Sequence, residues 1–395
     1  MKNISLKVSL LLILGLSIVA CNNDDDNTTP TPIETVTKKQ VIANYAEIVF
    51  ANYTKAYNDA VVLETAINAF TATPTDANFT VVKNRWKDAR ESYGTTEAFR
   101  FANGPIDDED GPEGLLNAWP LDENYIDYVQ GNATAGIINN IALFPVINKA
   151  VLEGLNEEGT EKNISVGYHA IEFLVWGQDL TAPSANKPGQ RPYTDYVTGV
   201  AGTASNQSRR ADYLKVCADL LTDHLQYLVN EWKVGGAYRT VFLALPENDA
   251  LTNIYTGIAT LAAAELAVER MDTALLNADQ EDEHSCFSDN THRDIALNLQ
   301  GVINVYKGKY GTIDGPSLED LVTAANATVA TETNTSITDS EAKVGAILTP
   351  FDLAISGGLT STEGAKVRVA VLQLKNLGAN LIAGAAKLGL TVNNG

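Results

Sequence analysis

Basic side chains are scarce in this 395-residue sequence: 28 lysines and arginines stand against 49 aspartates and glutamates, for a net charge of −21. Such a surface repels phosphate, which argues against nucleic acid as a partner, while the same acidity suits solubility and attracts cations. Cysteine is nearly absent as well. Apart from Cys21 only Cys217 and Cys286 occur, and in an oxidising compartment these two either pair or stay buried as single thiols. Histidine occurs four times, at 169, 224, 284 and 292. A three-histidine zinc centre would therefore have to recruit distant loops, and the His-Glu-x-x-His spacing of zincins is missing, because Val175 and Trp176 stand where a second histidine would be needed.

A long apolar run is lacking too. Residues 8–20 are uncharged and follow Lys2 and Lys7, but this run falls short of the roughly 20 residues that span a hydrocarbon core. It reads as a signal peptide over residues 1–20. Ile18, Val19, Ala20 and Cys21 read as a lipobox, with Cys21 the lipidated N-terminus that holds a soluble domain to a membrane. Residues 21–36, with Asp24, Asp25 and Asp26 ahead of a Thr/Pro tract, cannot form a core and suit a tether. The acidic triplet resembles the surface-export signal of lipoproteins in some Gram-negative bacteria, so the expected place is the outer membrane, facing the cell surface or the periplasm. Loss of the two leader lysines moves the net charge from −21 to −23.

Strand signals are almost wholly missing, since the β-branched residues fall in helical spacing and turn signals lie tens of residues apart. What remains is helix. Val41, Tyr45, Ile48, Val49, Ala56, Tyr57, Ala60, Leu63 and Ile67 recur at three and four, one face of a long helix that Pro74 ends. A second helix should run from Thr75 or Asp76 to about Ala102, where Gly104 and Pro105 force a turn. Further helices are predicted over residues 139–155, 165–177, 207–233 and 249–276. Ser317 with Asp320, and Thr360 with Glu363, look like capping boxes. The fold class is all-α, two helical bundles packed together: an N-terminal bundle over 37–180, a connecting loop over 181–205 and a C-terminal bundle over 206–395. The acidic, turn-rich segments 104–119 and 280–290 are candidates for a site rim.

The sharpest local signal is residues 165–177. At roughly 100° per residue, Ile164, Tyr168, Ile171 and Val175 form one stripe, with Ser165, His169, Glu172 and Trp176 beside it. No face offers water a charged group, so protein should surround this helix. His169 and Glu172, one turn apart, would then be an ionisable pair in the interior, where a carboxylate needs a compensating partner. Either a metal ion is held by imidazole and carboxylate, or the pair is structural, with Glu172 hydrogen-bonded or paired with arginine. Trp86, Arg90, Tyr93, Glu97 and Arg100 form a second polar-aromatic stripe. It reads as a half-buried face with internal ion pairs, or as a source of a hard oxygen ligand, Glu97, with Arg100 balancing charge. Residues 281–292 gather Glu281, Glu283, His284, Ser285, Cys286, Asp289 and His292 ahead of a helix that Ser288 or Asp289 could cap; the acids at 281–283 could equally be solvated.

Gly167-Tyr168-His169-Ala170-Ile171-Glu172 resembles the Gly-x-His-x-x-Glu signature of the imelysin family. Residues 86–107 and 281–292 resemble that family's earlier and later blocks, in the same order. The resemblance implies two four-helix bundles, an exported bacterial protein, and a metal site using His169 and Glu172. On the reading of the residues, Glu97 or the 281–292 loop, through His284, would add further ligands, with Arg100 and Ser285 around them. The expected ion is divalent or ferric, iron or zinc. Two activities come with the family, handling of iron alongside an iron-transport protein and metal-dependent endopeptidase action; an inert structural or ligand-binding bundle is the third reading.

Overall fold

The computed structural model describes residues 35–392 apart from 109 and 110. The leader, Cys21 and nearly all of the tether lie outside the described residues. α1, Lys38–Ala72, opens on Thr37, whose hydroxyl accepts from the Gln40 N–H while the Gln40 side chain accepts from the Thr37 N–H, and it closes just before Pro74. Thr75 caps α2, Asp76–Gly94, which tightens into a 3₁₀ turn at Thr95–Phe99. α3 is Gly167–Trp176, α4 Gln207–Trp232, α5 Glu247–Asn277, α6 Thr291–Lys307, α7 Ala327–Val344 and α8 Thr362–Lys387. The only strands among the described residues are Lys309–Tyr310 and Ile313–Asp314, a two-residue antiparallel hairpin with Lys309 opposite Asp314.

The apolar stripes sort these helices into two four-helix groups, as the sequence leads one to expect of an all-α chain. α1 lies between α2 and α4, with α3 against α2 and α4. α8 lies between α5 and α7, with α6 against α5 and α7. α5 and α8 are long and apolar enough to cross a membrane, yet they pack on each other inside the second group. α6 also packs on α2 and the 3₁₀ turn, and one hydrophobic core runs through both groups. The two groups approach closely at Gly301, where a Cβ would stand 2.5 Å from the Thr95 carbonyl oxygen.

Three expectations shift. The helix at 207–232 was assigned to the C-terminal bundle but packs on α1 and α3, so the first group extends to Trp232. The connecting segment folds back on that group because it carries one corner of a buried charge knot. Arg191 donates to Asp127 at 2.6 Å, and Arg210 donates to both oxygens of Asp127 at 2.6 and 2.9 Å. Residues 139–155 are helical only at Gly136–Asn139 and Lys149–Leu155; Pro145, with no N–H to give, sits in the irregular stretch between. Ser317 with Asp320 forms the expected capping box, but α8 is capped by Ser361 rather than Thr360, leaving Glu363 to pair with Lys366.

Candidate functional site

α3 begins at a glycine whose place any side chain would strain. Gly167 has φ +88°, and a Cβ there would stand 2.7 Å from the Leu116 carbonyl oxygen, so a bare backbone lets the helix start against the 113–120 loop. From that start every residue of α3 is buried. Trp86 donates its indole N–H to the Tyr168 carbonyl at 3.0 Å and ties the helix to α2.

One turn apart on α3, His169 Nδ1 and Glu172 Oε2 meet at 2.9 Å, both side chains fully buried. The other carboxylate oxygen, Oε1, accepts from the Ser288 N–H at 2.9 Å and from its hydroxyl at 2.6 Å. Ser288 therefore holds Glu172 rather than capping α6, whose start has no side-chain cap. The far nitrogen of the ring, His169 Nε2, is buried without any hydrogen-bond partner. The His284 ring stands edge-on at 4.6 Å and the Trp119 ring at 5.1 Å. Burial drives both groups toward their uncharged forms. It takes His169 well below the usual histidine range, helped by His284, and pushes Glu172 up to about 8 against the Ser288 bonds. An ionised Glu172 accepts from Nδ1–H and leaves the Nε2 lone pair bare; a protonated one donates to Nδ1 and puts the hydrogen on Nε2.

Around this pair lies a layer of satisfied charge. Arg90, stacked near Trp86, Tyr93 and Tyr168, pairs with Asp294 at 2.9 Å and donates to Asn117 at 2.5 Å. Asp294 also accepts from the Ser285 hydroxyl at 2.5 Å and faces His284 Nδ1 at 3.4 Å. Burial opposes its charge, but Arg90 and His284 outweigh it and hold Asp294 far below the carboxylate range. His284 itself is pushed down to about 4, first by burial and then by Arg270, so its ring is neutral. Glu97 takes a 2.6 Å bond from Arg270 and a weaker one from Asn117; burial would raise it, and Arg270 with Arg100 brings it below its ordinary value.

Arg270 reaches this point because residues 261–272 of α5 are wound as a π-helix. Bonds running from i to i+5 bring residues five apart onto one face, and Arg270 Nε meets Glu265 Oε1 at 3.1 Å. The same wall borders a cleft of about 350 Å³ with Asn117, Trp119 and His284 in its lining. Arg100 stands on that wall, 3.2 Å from both Glu113 and Glu265, and not beside His169. Glu113 is pushed up to about 7 by burial against the pull of Arg100.

Of the residues the sequence singled out, the structure brings together His169, Glu172, His284 and Ser285. Glu97 sits one layer out, tied to arginine, and His224 is remote, paired with Glu153. Glu283, a candidate for solvation, is instead 1% exposed. Cys217 and Cys286 are both free and buried. Among the described residues no three His, Cys, Asp or Glu side chains form a group that could hold a metal ion. Asn117, Trp119, Arg270 and Asp294 were not singled out; only Asn117 and Trp119 carried a signal, as members of the acidic, turn-rich 104–119 segment.

The sequence pattern of the imelysin family matches residues 49–381. Iron-regulated protein A of Synechococcus elongatus is 27% identical over 285 residues, 69% of this chain and 65% of that protein. The chain thus spans just under two thirds of the length of that curated relative. A crystal structure from Parabacteroides distasonis, described as an iron-regulated protein A precursor, superposes with a TM-score of 0.66 at 17% identity, covering 90% of this chain and 97% of the other. That likeness is one of fold.

Proposed function

This chain belongs to the imelysin family, and from that premise we propose that it handles iron outside the cytoplasm, receiving the ion as cargo on His169 Nε2 with His284 as a second nitrogen donor. The observation that carries this reading is the orphaned Nε2. A buried nitrogen without a partner costs about 1–3 kcal/mol, and this one lies beside a second neutral imidazole. Glu172 supports it as an orienting group: held by Ser288, it can fix Nδ1–H and so present the Nε2 lone pair, the arrangement that a carboxylate gives a metal-bound histidine.

Both oxygens of Glu172 are engaged and Glu97 is spent on Arg270, so carboxylates contribute orientation and charge, and the ion retains water at its other positions. Loose retention of this kind suits a cargo. Two imidazoles serve iron(II) and zinc alike; iron is preferred because the cyanobacterial relative is named for regulation by iron. The endopeptidase reading needs a carboxylate free to act as base beside a bound water, and the carboxylates nearest His169 are engaged. Anchored through Cys21 at the outer membrane, the domain would pass its ion to an iron-transport protein.

Elemental mass spectrometry and iron(II) titration of the leaderless protein test the proposal. Wild type should bind near one ion, His169→Ala should lose it, and Glu172→Gln should weaken it roughly 10- to 100-fold, all with unchanged circular dichroism. A folded wild type that takes up no more metal than His169→Ala overturns it.

A further inference from the structure

Half of the Arg191 guanidinium is unused. The group packs over the Tyr128 ring at 4.9 Å and the Phe173 ring at 5.2 Å, and its side chain is 2% exposed. Both of its carboxylate contacts run through Nη1, to Asp127 at 2.6 Å and to Asp195 at 3.6 Å. Nε is buried without a hydrogen-bond partner, and Nη2 enters no hydrogen bond or ion pair among the described residues. Nε–H and one Nη2–H point the same way, a fork that matches the two oxygens of a carboxylate. In two other arginines of the chain that fork is filled. Arg210 grips both oxygens of Asp127 with it at 2.6 and 2.9 Å, and Arg293 both oxygens of Glu91 at 2.8 and 2.6 Å.

Arg191 also lines a cavity of about 320 Å³, toward the small end of ligand pockets. No acidic residue lines it, in a chain with 49 acids to 28 bases. Leu180, 59% exposed, and Pro192 give the cavity an apolar wall, and Gln178 and Thr181 give it polar groups. Gly177 keeps the way to the fork clear, since a Cβ there would stand 3.4 Å from Nε. The carbonyls that end α3 would repel an anion, but they are taken: Phe173 by the Gly177 N–H, Leu174 by the Tyr196 hydroxyl and Trp176 by the Arg191 N–H. Lys83, over the Phe79 and Trp176 rings and in no ion pair among the described residues, senses the local excess of positive charge. Burial first, then Lys87 and Arg191, push its amine down to about 8 against the pull of Asp76. We infer that this cavity binds a small organic carboxylate with an apolar body, its two oxygens on the Nε and Nη2 edge of Arg191 and its body against Leu180, Pro192 and Tyr128. The site is separate from the one proposed for iron: Gly177 follows the far end of α3, about 12 Å along the axis from His169 at 1.5 Å per residue.

The fork, the apolar wall and the histidines are tested separately. In calorimetry on the leaderless protein, 3-phenylpropanoate should bind with a Kd on the order of 1 mM or tighter. Its neutral amide, which lacks the charge, and acetate, which lacks the body, should each bind about tenfold more weakly. In NMR spectra the Arg191 Nε–H resonance, assigned by its absence from Arg191→Lys, should move as the acid saturates. Arg191→Lys keeps a cation beside Asp127 without the fork and should bind about tenfold more weakly. Leu180→Glu sets a negative charge on the exposed wall, leaves the buried ion pairs untouched, and should weaken binding as much with unchanged circular dichroism. His169→Ala should bind as wild type does. No saturable binding by folded wild type, equal binding of acid and amide or of acid and acetate, an unmoved Nε–H resonance, or wild-type affinity in Leu180→Glu overturns the inference. Loss of binding in His169→Ala overturns it too, by placing the carboxylate at the imidazoles.

Discussion

Gly167 decides where His169 points. An alanine there faces two penalties at once, a positive φ that side chains rarely adopt and a carbonyl oxygen 2.7 Å away. Strain and overpacking together amount to about 2–4 kcal/mol, so Gly167→Ala should lower the unfolding free energy read from urea denaturation by that much and weaken metal binding even where the fold survives. Asp127 makes a second prediction at this scale. Burial opposes its charge, but Arg191 and Arg210 outweigh it and hold the carboxyl below its ordinary value. A carboxyl whose folded pKa is depressed stabilises fully above its unfolded value, near 4, and loses that contribution as the pH falls through the folded one. Asp127→Asn leaves the buried Arg210 without its carboxylate and Arg191 with only Asp195, 3.6 Å away, so it should cost about 3–5 kcal/mol at pH 7. The deficit should narrow toward pH 2, which denaturation curves at pH 7, 4 and 2 would reveal; a deficit constant with pH would mean the charge is not the cause.

At the scale of the element, the π-wound stretch of α5 sets the electrostatics of the site. Glu265 and Arg270 share a face only because the winding brings i and i+5 together. Deleting Ala264 should let the stretch relax to α-helix and swing Arg270 away from Glu97. The variant should lose about 3–5 kcal/mol through the stranded buried Glu97, and substituting Glu97→Gln in that background should recover part of it, as measured by chemical denaturation. This wall is also where sequence reading stops. A 3.6-residue period finds α1, and the absence of any acidic, basic or histidine side chain on 165–177 besides His169 and Glu172 correctly implies a buried α3, because both follow from local spacing. Neither spacing nor propensity distinguishes five-residue register from four, so the role of Arg270 stayed hidden. His169, Glu172 and His284 were legible because histidine is rare and an ionisable pair on an apolar helix demands a partner. Asn117 and Asp294 were not, since an asparagine in a loop and an aspartate in the first turn of a helix have ordinary explanations. The membership of α4 was equally opaque: its apolar stripe fits either bundle, and what fixes it is Arg210 reaching Asp127 83 residues earlier.

Across the whole molecule, the site is the place where the two helix groups are joined. Arg90 on α2 reaches Asp294 on α6, and Arg270 on α5 reaches Glu97 on the 3₁₀ turn, so both buried pairs cross from one group to the other. His169 belongs to α3 in the first group, and His284 to the loop that leads into α6 in the second. An ion held by both rings would therefore pin the groups together rather than stabilise either alone. Binding to the folded state adds RT ln(1 + [L]/Kd), about 2.7 kcal/mol when free metal is 100 times Kd. That gain should appear as one unfolding transition shifted upward, with amide exchange slowed on α3 and on α6 alike. Protection confined to α3 would mean that His169 holds the ion without His284, and the junction would then owe its strength to the two ion pairs and the shared core.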